Sequence, residues 1–478
     1  MRPVLPIILF LTILHTTTAQ NLPEVIRQRS KAVVSVSSLS YSGEVLERAN
    51  GFFINPDGIL LMPSSLFFNS DSITVTLSNG RKMGVERVVS LHRYYNLAMV
   101  KVKGGRDFEY LTPARQTIRE PEEVMVLVHE SAGAVSDVGR LSRVTSLPRL
   151  TRTARLNTRL SAASVGAPVL NNQGALIGVF FEENKTGVDC VISSLLLQDQ
   201  EWSPVALSPA KMRQKGTWRN LLRNDFLMAL TAYCWNEYGE GSKRMTFYLK
   251  YQADDALAYA ARALMRLLYG NTEGFIHDVT MMQQLKPDDG LSYYLKGQQL
   301  EHQGKYSEAM TNYNECCQRS DAVGAAYLSL GEMVLRQKND VREAYNLFNM
   351  ALLNDSLLAE AYYERGKLLL QHSSDRNKAL TDFQQCIYLD PTQEGVFTIR
   401  GTYYFEQRNY AAAMRDYDEA IRRNPSDAHA LFNRGIVHYN VGLKDRACKD
   451  WEKSSRLGNE QAYKYISRYC SDVINTFH

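Results

Sequence analysis

Apolar and polar positions along this chain follow two different periods. From Leu22 to about Asp199 the apolar residues alternate or run in short blocks bounded by turns. Gly51-Phe52-Phe53-Ile54 and Ile59-Leu60-Leu61-Met62 flank Asn55-Pro56-Asp57-Gly58, and Ile73, Val75 and Leu77 alternate before Asn79-Gly80. The pattern resumes at Val124 to Val128, then at Val169 and Leu170, the turn Asn171-Asn172-Gln173-Gly174, and Ala175 to Phe181. Period-two runs between such turns predict short strands closing into a sandwich or barrel. From Gly290 to Gln461 the period becomes helical, and it repeats. Gly297, Gly331, Gly366, Gly401 and Gly435 stand 34, 35, 35 and 34 residues apart, each four after Tyr293, Tyr327, Tyr362, Phe397 or Leu431.

Each glycine is followed twelve or thirteen residues later by an alanine (Ala309, Ala344, Ala379, Ala413, Ala447) and four further on by an aromatic (Tyr313, Phe348, Phe383, Tyr417, Trp451). A third small residue keeps the register (Cys316, Ala351, Cys386, Ala420, Ser454), and Pro391 and Pro425 close two of the units. These offsets predict two antiparallel helices per unit, with small residues where the helices approach most closely. Period, small positions and proline together resemble the tetratricopeptide repeat. The resemblance implies an all-α solenoid of units 290–323, 324–358, 359–393, 394–427 and 428–461. A sixth, degenerate copy at 256–289 has Tyr259, Gly270 and Pro287 in phase, but Ala263 for the glycine and Phe275 for the alanine.

Composition changes the picture little. The 478 residues allow two or three domains, and a net charge of +4 with no long basic run gives no reason to expect a nucleic-acid partner. Residues 1–19 read as a secretory signal, with Arg2, an apolar run from Val4 to Leu14 and a small-residue site at Thr17-Thr18-Ala19. That run is too short to span a bilayer and no later one is longer, so an exported protein without a transmembrane segment is expected, periplasmic or secreted. Seven cysteines are an odd number in a chain too long to need staples, and Cys316 and Cys386 read as buried packing thiols, so no disulfide framework is expected. No Cys or His spacing suggests a metal, and no cofactor is expected. Residues 200–255, with Pro204 and Pro209, read as a linker and helix pair that docks or caps the array, and 462–478 as a terminal capping helix.

The strand-rich half, 22–199, carries three blocks in a telling order. ANGFFINPDGILLMPSSLF, LHRYYNLAMVKV and ASVGAPVLNNQGALIGV resemble the three signature segments of HtrA-type trypsin-fold serine proteases, over roughly Ala49 to Val179. The resemblance implies an all-β double six-stranded barrel with its site in the cleft between barrels. It also implies which residues stand at the catalytic positions. Where the family has histidine, aspartate and nucleophilic serine, this chain has Ser65, Asn96 and Val165. Such chemistry needs an imidazole base, a carboxylate to orient it and a hydroxyl to attack. The glycine that supplies an oxyanion-hole N–H is Ala163 here, and the one after the nucleophile is Ala167. The reading is a pseudoprotease, expected not to be an enzyme. One alternative is a relocated pair, Ser164 with His92, recruiting substrate through the repeats; an ordinary loop serine and a solvated histidine are the plainer reading. Another is a structural subunit of a cell-envelope complex, and the resemblance favours a bacterial envelope.

The repeats suggest a binding face. In tetratricopeptide arrays the positions three before, one after and four after the ladder glycine line the concave surface. Here those offsets supply Tyr294, Gln298, Leu328, Tyr363, Lys367, Phe405, Phe432, Ile436 and Tyr439, which predicts a groove for an internal, partly apolar peptide. The chain lacks the Lys and Asn pair that would clamp a terminal carboxylate. The same repeats show a covariation. Arg262, Arg365, Arg400 and Arg434 precede the ladder position where Asp278, Asp382, Asp416 and Asp450 follow it, whereas the other two units have Lys296 with Asn312 and Leu330 with Leu347. Positions that change together within one chain are expected to touch, so each Arg should pair with its Asp. The reading is an exported, non-catalytic protein-binding or scaffold protein, of undetermined oligomeric state.

Overall fold

The structure is a computed structural model that describes residues 22–67, 70–114, 118, 122–130, 133–145, 147, 149–157, 165–183, 188–214, 225–319, 321–372 and 376–470. The expected signal segment and Ser164 lie outside the described residues. The chain divides into two compact units, Met1–Asp288 and Asp289–His478.

The first unit opens with α1 (Leu22–Arg29) and two barrels. Strands β1 (Val33–Leu39), β2 (Val45–Phe53), β3 (Ile59–Pro63), β4 (Ser72–Thr76), β5 (Lys82–His92) and β6 (Leu97–Val102) run in the order β5-β4-β1-β2-β3-β6, and β5 pairs with β6 to close the ring. Val34, Val36, Leu60, Met62, Val75, Val88 and Val100 point inward, so the alternation in the sequence is the barrel interior. The second closed barrel comprises β7 (Glu122–Glu130), β8 (Gly133–Thr145), β9 (Thr153–Asn157), β10 (Pro168–Leu170), β11 (Leu176–Glu183) and β12 (Val188–Ser193), around Val126, Leu141, Leu156, Val169, Ile177 and Val191.

Within the stretch expected as linker, Trp202–Leu207 forms a further strand, β13, added antiparallel to β5 at the edge of the first barrel. Pro204 is tolerated there because an edge strand has one side without ladder bonds. Helix α2 (Pro209–Gln214) follows, then α3 (Asp225–Cys234) and α4 (Tyr238–Leu249), and the helical pair α5 (Ala256–Leu268) and α6 (Thr272–Leu285) completes the unit. α3 lies against β8, β9 and β12. The buried Asp255 ties these helices to the first barrel. Its carboxylate caps α5 through the Leu257 and Ala258 N–H groups, accepts the Tyr248 hydroxyl at 2.8 Å and the Tyr94 hydroxyl at 3.4 Å, and meets Arg93 at 3.1 Å.

The second unit holds five helix pairs: α7 (Gly290–His302) with α8 (Tyr306–Cys317), α9 (Gly324–Lys338) with α10 (Val341–Asn354), α11 (Ala359–His372) with α12 (Arg376–Leu389), α13 (Val396–Glu406) with α14 (Tyr410–Arg423), and α15 (Ala428–Asn440) with α16 (Lys444–Arg456). α17 (Glu460–Tyr469) covers the last pair. The ladder glycines are required by close approach. A Cβ on Gly297, Gly331, Gly366, Gly401 or Gly435 would stand 2.4 to 2.8 Å from the ring of Tyr313, Phe348, Phe383, Tyr417 or Trp451 respectively. The aromatic of the second helix is therefore the knob, and glycine makes its hole. Cys316 and Cys386 are buried free thiols, as expected, but one bond between cysteines was not foreseen. Cys448 and Cys470 form a disulfide that fastens α16 to the end of α17. Cys448 follows the small-residue Ala447, so its neighbour in the helix masked a bond made across the cap.

Candidate functional site

The three positions that the sequence resemblance assigns to a protease triad, Ser65, Asn96 and Val165, come from different loops of the double barrel. Ser64 and Ser65 begin a short turn after β3, and Asn96, with a φ of 49°, sits in the turn before β6. The fold brings these two together. The Asn96 side-chain carbonyl accepts the Ser65 N–H at 2.8 Å and the Ser64 hydroxyl at 2.9 Å, and its amide nitrogen donates to the Ser65 hydroxyl at 3.4 Å. The amide is thus occupied in holding the turn.

Val165 is placed by a backbone clasp between barrels. Its carbonyl accepts the Asn50 N–H at 2.9 Å, and the next N–H, of Gly166, donates to the Phe180 carbonyl at 2.9 Å. Gly166 has a φ of 81°, and a Cβ there would lie 2.4 Å from the Asn50 carbonyl oxygen and 2.6 Å from the Pro63 ring. The sharp turn that presents residue 165 is thereby preserved, with an aliphatic side chain on it. Ala167 is buried, and Ala163 and Ser164 lie outside the described residues.

His92 is not solvated. It is fully buried, its Nδ1 accepting the Tyr94 N–H at 3.1 Å and its Nε2 standing 3.4 Å from Asp199, with the Trp202 ring edge-on at 4.9 Å. Burial works against the Asp199 charge, but His92 and the Glu201 N–H outweigh it and hold this carboxyl below its usual range. Segments 199–202 fold over His92 from more than a hundred residues away, which no local pattern announces. The histidine of the relocated-pair alternative is engaged with Asp199.

A second imidazole was not anticipated. His129 lies near the end of β7; it is buried, its backbone N–H donates to the Asn50 side chain at 2.7 Å, and both its ring nitrogens lack a partner among the described residues. Asn50 thereby links it to the Val165 carbonyl. The only signal in the sequence is a histidine within an otherwise apolar strand, which reads equally as a core residue.

In the second unit the predicted groove residues divide. Tyr294, Leu328 and Phe432 are buried, the last edge-on to Tyr465 of α17 at 5.0 Å, and Ile436 packs in the same cluster. Gln298 donates to the Tyr294 hydroxyl at 2.7 Å. Tyr439 is 41% exposed but leans on Tyr469 at 4.9 Å, and Phe405 on Tyr410 at 5.8 Å. Tyr363 and Lys367 also meet, the ammonium 4.9 Å over the ring and 2.7 Å from Glu364. The predicted groove residues are thus divided between the repeat interior, contacts with the cap and the surface. Beside them lies a cavity lined by groups of both charges. This cavity, of about 420 Å³, is lined by Glu332, Leu335, Arg336, Glu364, Lys367 and Gln371. Burial, then the carboxylates of Glu360, Glu364 and Glu301, push the Glu332 carboxyl up to about 7.

The Arg and Asp pairs are made in all four repeats. Each arginine clamps its aspartate through two nitrogens, at 3.0 and 2.6 Å in Arg262–Asp278, 2.8 and 2.7 Å in Arg365–Asp382, 2.8 and 2.7 Å in Arg400–Asp416, and 2.9 and 2.6 Å in Arg434–Asp450. Three of them also reach back one helix, to Thr246, Asn349 and Asp418. Arginine therefore bolts a repeat to the one before it.

Comparison with known proteins agrees with this division. Residues 49–179 match the trypsin-like peptidase domain, and 291–322, 359–393 and 400–461 match tetratricopeptide repeats. Among curated relatives, the Hsp70-Hsp90 organizing protein of Triticum aestivum is 37% identical over 76 residues, which is 16% of this chain and 13% of that protein. The Hsp70-Hsp90 organizing protein 3 of Arabidopsis thaliana is 34% identical over 76 residues, 16% of this chain and 14% of that protein. The chain thus spans only a small part of these relatives. Solved structures similar to it include the HtrA-type protease AlgW with tripeptide, 16% identical, covering 37% of this chain and 60% of that one with a TM-score of 0.32. Another is the Rv3671c protease in an inactive form, 18% identical, covering 38% and 96% with a TM-score of 0.32. The strand order and the matched segments together establish that this chain joins a trypsin-like peptidase domain, folded as a double β-barrel, to a solenoid of tetratricopeptide repeats.

Proposed function

We propose that this is an exported, non-catalytic protein-binding protein, in which the trypsin-like domain is a scaffold and the repeats hold a segment of a protein partner. The observation that carries the reading is the pairing of an aliphatic Val165 on a preserved nucleophile turn with an Asn96 amide committed to Ser64 and Ser65. A valine methyl forms no acyl-enzyme, and the nearby buried imidazoles of His92 and His129 have no described hydroxyl to activate. The apolar amino-terminal run and the Cys448–Cys470 disulfide support export, since such bonds persist in oxidising compartments.

For the groove, the reading narrows to the face around Glu332, Glu364 and Lys367, which line one cavity, with the Tyr363 ring beneath the Lys367 ammonium. An extended peptide with at least one basic residue fits that lining better than a purely apolar one. The test uses purified full-length protein with unfolded casein and a fluorophosphonate label. Neither cleavage nor labelling is expected; labelling lost in Ser164→Ala would replace this reading with that of a protease using a displaced nucleophile. A crosslinking pull-down from the native compartment with wild type and Tyr363→Ala/Lys367→Ala tests the groove, and equal recovery of the same partner by both would misplace it.

A further inference from the structure

The seam between α3 and the second barrel holds a chemical group that neither the barrel nor the repeats require. Cys234 is the last residue of α3, and Cys190 lies in β12 opposite Arg155 of β9. Both thiols are buried and unoxidised, and the two sulfurs are hydrogen-bond neighbours. Around Cys234 the barrel supplies polar groups of the kind a thiolate needs. The Thr145 hydroxyl is 3.1 Å and the Thr153 hydroxyl 3.5 Å from its sulfur, and Arg155 donates to its backbone carbonyl at 2.8 Å. A packing cysteine of an apolar core has no use for two hydroxyls and a guanidinium.

We propose that Cys190 and Cys234 are a redox pair that closes to a second disulfide, stapling α3, and through it the helices that follow, to the second barrel. The asymmetry of the pair assigns the roles. Cys234 is held below the usual thiol range, first by the Cys190 thiol that donates to it and then, against burial, by the two threonine hydroxyls and Arg155; the same contact and burial push Cys190 up. Cys234 is the attacking thiolate and Cys190 the resolving thiol.

The oxidant is a disulfide, either of a small thiol such as glutathione or of a thiol oxidoreductase. The Cys234 thiolate attacks one sulfur of that disulfide, forming a mixed disulfide and expelling one thiolate. Cys190 then gives up its proton and attacks the Cys234 sulfur, expelling the second. Two protein thiols are oxidised, one external disulfide is reduced to two thiols, and the Cys190 proton ends on an expelled thiolate. Because both sulfurs are buried when α3 is fully seated, the exchange takes place as the end of α3 settles onto the barrel, with the threonine contacts to Cys234 formed and its sulfur still open to the oxidant.

The experiment uses the full chain, opened in urea with reduced and oxidised glutathione, returned to native buffer, then acid-quenched, alkylated and mapped by mass spectrometry without reduction. A Cys190–Cys234 linked peptide is expected beside the Cys448–Cys470 one, which serves as the internal control. Recovery of both Cys190 and Cys234 as alkylated thiols while Cys448–Cys470 is oxidised would overturn the proposal, as would pairing of either with Cys316 or Cys317. A second measurement needs no linked peptide. In a Cys448→Ala/Cys470→Ala background, oxidation should raise Tm by roughly 5 to 15 °C, and adding Cys190→Ser should abolish that rise. A Tm indifferent to oxidation sinks the idea, and the mapping of wild type stands whether or not Cys190→Ser folds.

Discussion

The barrel cleft and the repeat ladder treat their side chains in opposite ways. In the cleft, the backbone devices are kept: the left-handed Gly166, the clasp between Asn50 and Val165, the turn at Ser64 and Ser65. The side chains hung on them are a serine, an amide and an aliphatic. In the ladder the charged side chains are the device, four bidentate Arg and Asp pairs repeated at one register. A backbone turn survives exchange of the residue it presents, whereas a buried ion pair fails when either partner is lost. The barrel turn is held by backbone contacts, whereas the ladder depends on side-chain identity, from Asp278 near the end of the first unit to Asp450 in the second.

The sharpest break of that comparison is therefore at Asp278, fully buried beneath both Arg262 and Arg266. Asp278→Ala leaves two guanidinium groups without their carboxylate and should cost about 3 to 5 kcal/mol. Asp416→Ala, with Arg400 alone, should cost less. Urea midpoints measure both, and a loss below about 1 kcal/mol at Asp278 would make the ladder ornamental.

Asn96→Ala should cost about 1 to 3 kcal/mol, since it strands the Ser65 N–H and the Ser64 hydroxyl in a buried turn. Val165→Ala should change stability less, and neither change should alter the response to a fluorophosphonate label. A labelling signal that falls in Asn96→Ala would return a catalytic role to this corner.

What the sequence made legible follows the range of each interaction. The ladder glycines, their aromatic knobs and the Arg and Asp pairs recur at fixed offsets, so repetition inside one chain exposes them. The barrel strands were legible for the same reason, through period two and Asn-Gly turns. His92 and Asp199, Cys448 and Cys470, and Cys190 and Cys234 are each met once, between segments that the fold alone brings together. The groove offsets differ again: they name one helix face, but could not say that Tyr465 and Tyr469 of the cap would pack against Phe432 and Tyr439.

The ladder can also be sharpened by building it where it is missing. Leu330 is buried and Leu347 half-buried at the positions that hold Arg and Asp elsewhere. Leu330→Arg and Leu347→Asp should each destabilise alone, and together recover about 1 kcal/mol of the summed loss. Simple additivity in that cycle would show that the pair needs more of its surroundings than the two positions.

The smallest effect expected is also the one that separates groove from ladder by pH. The ladder carboxylates are clamped by arginines, but Glu332 faces carboxylates: burial and then Glu360, Glu364 and Glu301 raise it to about 7, with Arg336 opposing. A carboxyl raised in the folded state favours folding when protonated. Its contribution is fully present below the ordinary value of 4.5 and is lost as pH rises through about 7. Glu332→Gln removes the titrating charge and keeps the shape. The variant should match wild type at pH 4 and exceed it at pH 8 by on the order of 1 kcal/mol, allowing for screening at a partly open cavity. Chemical denaturation at the two pH values measures the difference. An equal offset at both would mean that Glu332 contributes through packing rather than charge. A bound peptide that presents a lysine or arginine to this cavity should reverse the sign, favouring ionised Glu332, so peptide affinity is expected to rise with pH over the same interval in wild type and to stay flat in Glu332→Gln.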